Sequence, residues 1–502
     1  MQQLTYIVSG TADAQRKAEL AKEKLDLIPH IESLLITIAT PCEMPVEKAI
    51  CMRDAVRKLF PDARIVAHTC ALKMADLRLD TEGVMLTFTA FEASRVDFTL
   101  VDGNTADAQT VRRFVDFVAA RPQTKVIEFF VVGLMDQIDN LFEGISAINP
   151  RIEVFGAFVD AEPMNARGYI VADDAVTELG MLAVVFHGET LDVHVVRNFG
   201  WNSLGREIVA TRVEGCTIKE LDGDIPIKVY ERYFGIRGDA NFSADSALFP
   251  LCFEEEDGSI SARVPIKIED GTGALTFGIP MQAGTKFRLA YGDPYGILSK
   301  AAENARAMTA FSPQVIIGSA CVGHYLLLGD DVVTEMTACT GVPSSTVFIF
   351  GEARRVGERI STAHLNVLLV GMKEDPGYVK NIQLQTKRVA HLSYNRKMLA
   401  FMSHFIRVSE EELYTANQRL TQLASRDALT NLLNRREMER ILKEAVAYSQ
   451  EHKTPLSVIL MDIDHFKGVN DAYGHDMGDR VILTVADAIS RTIRESDSGC
   501  RW

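Results

Sequence analysis

Two aspartates follow an apolar run near the end of the sequence. The run LSVILMDID covers residues 456–464 and is typical of a buried strand that ends in Asp462 and Asp464. Carboxylates at the carboxyl end of a buried strand, beside a main-chain carbonyl, are suitable oxygen ligands for Mg²⁺. Such an ion could neutralise the phosphates of a nucleotide. Taken alone the pair is weak evidence, because most such pairs begin an ordinary loop.

The residues around this pair strengthen the indication. MDIDHFKGVNDAYGHDMGD covers residues 461–479, and RDALTNLLNRR covers residues 426–436. Across residues 426–502 the sequence resembles the GGDEF family of diguanylate cyclases, which condense two GTP molecules into cyclic di-GMP. Asn431 departs from the pattern, since it stands in a turn where the family usually has glycine.

The resemblance implies a metal site and a phosphate site. Asp462 matches the family's catalytic, magnesium-binding aspartate, and Ile463 matches the residue whose main-chain carbonyl joins it, with Mg²⁺ or Mn²⁺ as the cofactor. His465, Phe466 and Lys467 match the turn whose amide groups surround the phosphates of GTP.

The resemblance also implies a guanine site and a product site. Asn470 and Asp479 match the pair that hydrogen-bonds the guanine base, whose adjacent N–H groups suit a carboxylate. Arg494 and Asp497 form an RxxD motif where many family members bind cyclic di-GMP and become inhibited. Arginine suits this role because it binds phosphate through two hydrogen bonds. Without that context, RxxD would more often be an ion pair within a helix.

In the family, the residues matching Cys500, Arg501 and Trp502 are followed directly by the signature hairpin, which also carries the second metal carboxylate. The sequence is therefore expected to be truncated. We expect residues 1–502 by themselves to make no cyclic di-GMP.

A second resemblance covers roughly residues 30–375. FGWNSLGREIVATRVEGCTIKELDGDIPIKVYERYFG at 199–235, SACVGHYLLLGDD and FIFGEAR are similar to the FIST family of cytoplasmic input domains, which have N- and C-terminal parts. The resemblance implies a small-molecule ligand, for example an amino acid. Two departures leave its identity open: His324 stands where the family often has arginine, and AHTCALKM at 67–74 replaces a glycine-rich turn.

Five residues of these motifs are candidate ligand contacts: Gly200, Trp201, Cys321, Gly323 and Glu352. Each also has a structural interpretation. Trp201 could anchor a packed turn, Cys321 could be a core thiol, and Glu352 could cap a helix.

The elements that must position these residues are of mixed α/β type. Apolar β-branched runs alternate with helical spacing in the first part, and GYIVADD, GMLAVVFHG and LDVHVVRN predict an antiparallel meander. The sequence predicts a two-part FIST-like sensor, a long helical connector and a partial GGDEF α/β domain. The predicted boundaries are 1–240 and 241–378 for the sensor parts, 379–425 for the connector and 426–502 for the GGDEF part.

The connector has a strict seven-residue repeat. Its first seam is Leu392, Leu399, Ile406, Leu413 and Leu420. The second seam is mixed polar and small: Asn395, Met402, Ser409, Ala416 and Leu423. This pattern predicts a parallel coiled coil of modest stability that forms a homodimer. The alternative is a long helix packed on its own domain.

Composition excludes several classes of protein. The 53 Lys and Arg against 68 Asp and Glu give a net charge of −15, which argues against wholesale binding to nucleic acid or an anionic membrane. No apolar run has the length of a membrane span, so we expect a cytoplasmic protein. The eight cysteines have no metal-ligand spacing, which makes zinc and structural disulfides poor predictions.

The resulting hypothesis is a cytoplasmic protein in which a FIST sensor controls a diguanylate cyclase. The main alternative is a non-enzymatic protein that binds GTP or cyclic di-GMP and relays the signal by protein contact. A third reading is a sensor whose output is contact with another protein through the connector helix.

Overall fold

The structure is a computed structural model that describes residues 1–103, 107–133, 138–159, 168–239, 241–255, 257–278, 280–380, 396–494 and 496–502. The chain divides into two compact units, Met1–His404 and Phe405–Trp502. Each unit is described by itself below.

The first unit begins with alternating strands and helices. Up to residue 200 its elements are β1 (Gln2–Val8), α1 (Thr11–Leu25), β2 (Ser33–Pro41), α2 (Val46–Arg57), β3 (Arg64–Cys70), β4 (Leu72–Ala75), β5 (Arg78–Asp80), β6 (Val84–Phe91), β7 (Arg95–Asp102), α3 (Ala108–Ala119), β8 (Thr124–Val132), α4 (Ile138–Ile148), β9 (Glu153–Phe158), β10 (Ile170–Ala172), β11 (Ala175–Thr177), β12 (Gly180–His187) and β13 (Asp192–Asn198).

Strands and helices continue to residue 373. The elements are β14 (Trp201–Glu214), β15 (Thr217–Leu221), α5 (Pro226–Phe234), α6 (Phe242–Ala247), β16 (Leu251–Glu254), β17 (Ile260–Arg263), β18 (Pro265–Ile268), β19 (Leu275–Phe277), β20 (Lys286–Gly292), α7 (Pro294–Phe311), β21 (Val315–Cys321), α8 (Val322–Leu328), α9 (Val332–Glu335), β22 (Ser344–Ile349), β23 (Glu352–Val356), β24 (Arg359–Ala363) and β25 (Val367–Lys373).

In the part of the chain that the structure describes, these strands form three six-stranded sheets and one seven-stranded sheet. Sheet 1 has the order β1-β6-β2-β3-β10-β11, sheet 2 the order β24-β23-β9-β8-β12-β7, and sheet 3 the order β13-β25-β21-β22-β4-β5. Each contains one parallel pair, β2 with β3, β8 with β9, or β21 with β22. The seven-stranded sheet has the order β17-β16-β20-β14-β15-β19-β18.

The predicted meander is wrong. β10 pairs with β3 in sheet 1, β12 pairs with β7 and β8 in sheet 2, and β13 pairs with β25 in sheet 3. These pairings are antiparallel, as predicted, but the partners are distant in sequence. Alternating or continuous apolar residues define a strand without specifying its neighbour, so the sequence could not reveal that three consecutive runs enter three sheets.

The inner faces of sheets 1, 2 and 3 share one apolar core. Val66 of sheet 1, Phe130 of sheet 2 and Val347 of sheet 3 belong to this cluster. The opposite face of sheet 1 buries Ala18 of α1 and Met52 of α2, and that of sheet 2 buries Phe142 of α4. Sheet 2 includes β23 and β24, and sheet 3 includes β4 and β5, so both predicted sensor parts contribute strands to common sheets.

Helix α10 (Arg396–Ser425) confirms a helix over the described part of the predicted connector. Leu392 and Asn395 lie outside the described residues. Up to His404 the helix packs on its own unit, since the Phe401 ring meets Phe249 edge-on at 5.7 Å. No helix among the described residues has the length and apolar character needed to cross a membrane.

The second unit continues α10 into β26 (Leu433–Asn434), α11 (Arg435–His452), α12 (Phe466–Tyr473), α13 (His475–Thr492) and β27 (Cys500–Arg501). β26 and β27 pair in parallel. The Asn434 side chain begins α11 by accepting the N–H of Glu437 at 3.0 Å.

The prediction of a buried strand at 456–464 is wrong. No strand forms there, and the side chains of Ile459 and Leu460 are 81% and 84% exposed. A strand needs a neighbouring backbone that accepts and donates hydrogen bonds. In the described part of this unit, β26 and β27 pair with each other, and neither lies beside the apolar run.

Asp173 connects helix α2 to two parts of sheet 1, strand β3 and the β10–β11 turn. It lies in the turn between β10 and β11 with a φ of 47°, and its carboxylate accepts hydrogen bonds from the Arg57 side chain, from Arg64 Nη1 at 3.0 Å and from the Ile65 N–H at 3.0 Å. One side chain thus joins α2, β3 and the β10–β11 turn.

Replacing this carboxylate should destabilise the first unit. We expect Asp173→Ala to lower the free energy of unfolding by roughly 2 kcal/mol, because charge-assisted hydrogen bonds are lost and alanine disfavours a positive φ. Asp173→Asn should lose less, because asparagine tolerates this conformation. Urea unfolding followed by Trp201 fluorescence measures the effect.

The adjacent Asp174 offers a matched control. Its side chain is 96% exposed and lies 3.5 Å from Arg53, so Asp174→Ala should change the free energy by less than about 0.5 kcal/mol. Equal losses at positions 173 and 174 would contradict this role of Asp173.

Candidate functional site

The predicted metal and phosphate residues lie together in the turn that leads into α12. Asp462 and Asp464 are exposed, and His465 has a φ of 57°. The Phe466 N–H donates to the Ile463 carbonyl at 3.3 Å, and the Gly468 N–H donates to the His465 carbonyl at 2.8 Å. The first N–H groups of a helix lack helical acceptors. Donors of this turn other than these two N–H groups could therefore meet an anion beside the two carboxylates.

The predicted guanine residues lie on the next two helices. Asn470 is on α12, and its Oδ1 would be 1.9 Å from a Cβ at position 478, the residue before Asp479. Gly478 therefore allows α12 and α13 to approach closely, and Asn470 is held next to Asp479. Asn470 Oδ1 is buried with no partner in the described part of the chain, and Asp479 is exposed.

An ion pair joins the residues that follow α10 to strand β27. Arg501 Nη1 lies 3.1 Å from Asp427 Oδ1, which also accepts the N–H and the hydroxyl of Thr430. Burial alone would raise the pKa of Asp427, but these hydrogen bonds and the Arg501 charge lower it below its ordinary value. The Asp427 carboxylate therefore stays ionised, and it fixes the segment that follows α10 to strand β27.

The RxxD residues lie after the end of α13. The Asp497 carboxylate accepts the main-chain N–H of Arg494 at 3.0 Å, so the two residues form a turn and not an ion pair within a helix. Within the described residues, the Arg494 guanidinium has no ion pair. Its exposed donors are available to an anion such as a phosphate.

The donor set at Asp462 fits a hard cation in its chemistry. A carboxylate and a main-chain carbonyl are oxygen ligands, and Mg²⁺ commonly binds one or two carboxylates and completes its coordination with water and substrate phosphates. Across the described ranges, no group of three or more His, Cys, Asp or Glu side chains could hold a metal ion without such additional ligands.

The sensor candidates lie in a buried part of the first unit. Trp201 is 3% exposed, and its ring meets His324 edge-on at 4.9 Å. His324 Nδ1 lies 2.9 Å from Glu335 Oε2, and its Nε2 lies 3.1 Å from the Leu365 carbonyl oxygen. Burial alone would lower the pKa of His324, but Glu335 raises it, because both ring nitrogens face acceptors.

Glu335 also accepts a hydrogen bond from Asn198 at 2.6 Å. Both ring nitrogens of His324 and both carboxylate oxygens of Glu335 therefore have partners in the core beside Trp201. Gly200 is required beside it, because a Cβ there would lie 2.0 Å from Ile297 Cγ1.

Cys321, Gly323 and Glu352 belong to the same region. Burial, with Glu352 nearby, raises the pKa of the Cys321 thiol, so this cysteine has the character of a core thiol. A Cβ at Gly323 would lie 2.2 Å from Leu365 Cδ2. Burial also raises the pKa of Glu352 to about 8, and its Oε2 accepts from Asn366 at 3.4 Å.

Glu352 begins strand β23, so the interpretation of this residue as a helix cap is wrong. The five sensor candidates are thus close neighbours, but they are packed in the interior and form no open cleft among the described residues.

Sequence reasoning missed Glu128. This residue lies in the apolar run KVIEFFVVG, in the middle of β8, and it is buried. A lone acidic residue inside a buried strand was the signal that could have revealed it, because burying an unpaired carboxylate is costly.

Three family models match successive parts of this chain. The FIST N domain family matches residues 35–224, the FIST C domain family matches residues 226–355, and the family described as "Diguanylate cyclase, GGDEF domain" matches residues 424–502. The matches follow one another along the chain in the order that the motifs indicate.

Curated relatives match a part of the chain. Diguanylate cyclase DosC of Escherichia coli K12 is 36% identical over 123 residues, which are 24% of this chain and 27% of that protein. Probable diguanylate cyclase DgcT of Escherichia coli K12 is 42% identical over 100 residues, 20% of each protein.

The bifunctional diguanylate cyclase/cyclic di-GMP phosphodiesterase MucR of Pseudomonas aeruginosa is 40% identical over 89 residues, 18% of this chain and 13% of that protein. The chain spans about a quarter or less of the length of these relatives. It contains, in this order, a FIST N domain, a FIST C domain and a GGDEF domain of the diguanylate cyclase family.

Proposed function

We propose that this chain couples a small-molecule sensor to a GGDEF domain of the kind that makes cyclic di-GMP from two GTP molecules in the cytoplasm. In this proposal the sensor covers residues 1–378, with two parts that divide near residue 240. The connector covers residues 379–425, and residues 426–502 are the N-terminal part of the cyclase domain. The observation that carries the proposal is the turn at 462–467, where carboxylates and helix N–H groups lie beside the Asn470–Asp479 junction.

The residues of the second unit would bind and orient one GTP. The Asn470 amide and the Asp479 carboxylate would bind the guanine edge, and the His465–Lys467 turn would bind the phosphates. The Asp462 carboxylate and the Ile463 carbonyl would hold Mg²⁺ or Mn²⁺. A bound ion would lower the pKa of the attacking hydroxyl and neutralise phosphate charge.

The reaction needs two such sites. The 3'-hydroxyl of each GTP loses its proton and attacks the α-phosphorus of the other, and each attack breaks the bond from that phosphorus to the oxygen it shares with the β-phosphate. Two phosphodiester bonds form and two pyrophosphates leave. Two domains that each present one nucleotide would supply this geometry, and positioning accounts for much of the rate gain. A homodimer through α10 would bring the domains together.

The sensor half of the proposal rests on the FIST motifs. We propose a small ligand, for example an amino acid, with Gly200, Trp201, Cys321, Gly323 and Glu352 as the residues that contact it or respond to it. Since these residues are packed in the interior, a ligand would reach them only if the core opened.

The first test concerns the metal ligand. Asp462→Asn should reduce Mg²⁺-dependent synthesis of cyclic di-GMP by more than about 100-fold. Even the loss of a residue that only supports a metal ligand commonly lowers metal affinity or activity 10–100-fold. Synthesis is measured on the chain fused to a signature hairpin of the GGDEF family, which carries the second metal carboxylate.

Asp471→Asn is the matched control, since Asp471 is also exposed and lies on α12 outside the 462–467 turn. It should retain activity within a few-fold. Equal losses in both variants would contradict the assignment of Asp462. GTP binding by the parent without any synthesis would support the binding-protein alternative.

The second test concerns α10. Leu399 and Leu413 are 53% and 63% exposed in the single chain, which supports a partner for the predicted seam. Leu399→Asp with Leu413→Asp should convert a dimer into a monomer, because charge in a coiled-coil seam is strongly unfavourable. Sedimentation velocity measures the change.

The control pair is Ser403→Asp with Asn417→Asp, which adds the same charge at exposed polar positions of α10. This pair should leave the dimer intact. A monomeric parent, or the same shift in both pairs, would contradict dimerisation through this seam.

The third test concerns product inhibition. The exposed Arg494 guanidinium is available to a phosphate of the product. Synthesis by Arg494→Ala should therefore slow less than synthesis by the parent as cyclic di-GMP accumulates. The readout is the ratio of late to early rate. Arg491→Ala is the control, since Arg491 is paired with Asp487 at 2.9 Å on α13. An unchanged ratio for Arg494→Ala would rule out this inhibitory role.

A further inference from the structure

A small internal cavity lies where the three six-stranded sheets meet. Its volume is about 20 Å³, and its walls come from β2, β3 and β6 of sheet 1, β8 of sheet 2, and β21 and β22 of sheet 3. A space of this size holds about one water-sized species. The polar residues that line it are Thr37, His68, Thr87, Thr89, Glu128 and Ser345.

Glu128 is the unusual member of this set. Its side chain is buried, and no hydrogen bond from a described residue offsets that burial. Burial raises the pKa of Glu128 to about 8, so the carboxyl group is protonated at neutral pH. This differs from Glu335 in the same unit, which pairs with His324 and Asn198.

His68 adds a second acceptor. Its Nδ1 lies 3.0 Å from the Thr69 carbonyl oxygen, which can only accept, so Nδ1 carries the proton and Nε2 keeps its lone pair. Burial lowers the pKa of His68 to about 4, so the ring stays neutral. Its ring stacks on Phe130 at 4.4 Å, which fixes its orientation.

The threonines contribute further oxygens. Thr37 and Thr87 are direct cross-strand neighbours of β2 and β6, and Thr87 Oγ1 is buried with no partner among the described residues. An unsatisfied buried polar atom is costly, typically by ~1–3 kcal/mol, unless a ligand or water satisfies it. The cavity therefore collects acceptors and contains no cationic side chain.

We propose that this cavity binds an ammonium ion or the ammonium head of a small primary amine. Such a group is about the size of water, it carries the charge that pairs with ionised Glu128, and its several N–H donors suit both the threonine oxygens and His68 Nε2. Hard metal cations prefer oxygen ligands and gain little from the imidazole nitrogen.

Occupation of the cavity would connect all three sheets through one ion, since Thr37, Glu128 and Ser345 come from different sheets. This consequence deepens the proposed sensor role and rests on it. Binding itself does not depend on the cyclase, so it can fail or succeed independently of that function.

The first measurement is the thermal stability of the full chain in ammonium chloride and in sodium chloride at equal ionic strength and pH 8. Ammonium should raise the melting temperature of the parent, because a ligand that binds the folded state stabilises it. Glu128→Gln and Thr87→Val should each abolish or greatly reduce this increase. Equal melting temperatures in the two salts would overturn the proposal.

Glu153→Gln is the matched control. Glu153 lies on the neighbouring strand β9, is half-buried and does not line the cavity. It should respond to ammonium as the parent does. A full response in folded Glu128→Gln, checked by circular dichroism, would also overturn the proposal.

Calorimetry with three probes distinguishes the sources of the ammonium group. Ammonium binding tighter than methylammonium indicates the free ion, and the reverse indicates the head of an amine. Glycine tests an amino acid, whose remaining atoms exceed the cavity. Absence of binding by all three would overturn the proposal.

The pH dependence provides a further check. His68 and Glu128 are the titratable groups that line the cavity, and ammonium pairs with the ionised form of Glu128. Since the pKa of this carboxyl is raised to about 8, the affinity should increase about tenfold per pH unit up to that value and then level off. An affinity independent of pH between 6 and 8 would contradict pairing with Glu128.

Discussion

The shared core of three sheets is the constraint on which the first unit depends. A sheet that is apolar on one face must bury it against another layer, and here each of the three six-stranded sheets uses the other two. Helices α1, α2 and α4 cover outer faces. Sheet 1 is built only from strands up to Thr177, whereas sheets 2 and 3 each combine strands from early and late in the chain. The two halves of the sensor therefore share one core.

This arrangement makes buried polar groups informative. The core tolerates His324 and Glu335 because each ring nitrogen and carboxylate oxygen has a partner. Glu128 lies in the same unit without one, at the junction of all three sheets. Glu335 and Glu128 are both buried, but only Glu335 has hydrogen-bond donors beside it. Glu335 therefore stabilises a fixed arrangement, whereas Glu128 favours an incoming cation.

The second unit follows a different principle. Its candidate nucleotide residues lie on an exposed turn and on two helices that approach closely at Gly478. The ion pair between Asp427 and Arg501 holds the segment after α10 against β27. An exposed site suits a reaction in which a second domain must reach the bound nucleotide. α10 carries an exposed leucine seam that could bring the two domains into that relation.

Local sequence determined much of this protein. The resemblance to the GGDEF and FIST families predicted the turn at 462–467, the Asn470–Asp479 pair and the order of the domains, because family motifs consist of residues close together in the chain. The helical repeat located α10 for the same reason. The sequence by itself could not show that β10, β12 and β13 enter three different sheets, that the run at 456–464 lacks a neighbouring strand, or that Glu128 faces His68 and Thr87 across a cavity. Tertiary structure decided these features, since each depends on hydrogen-bond partners and packing layers that are distant in sequence.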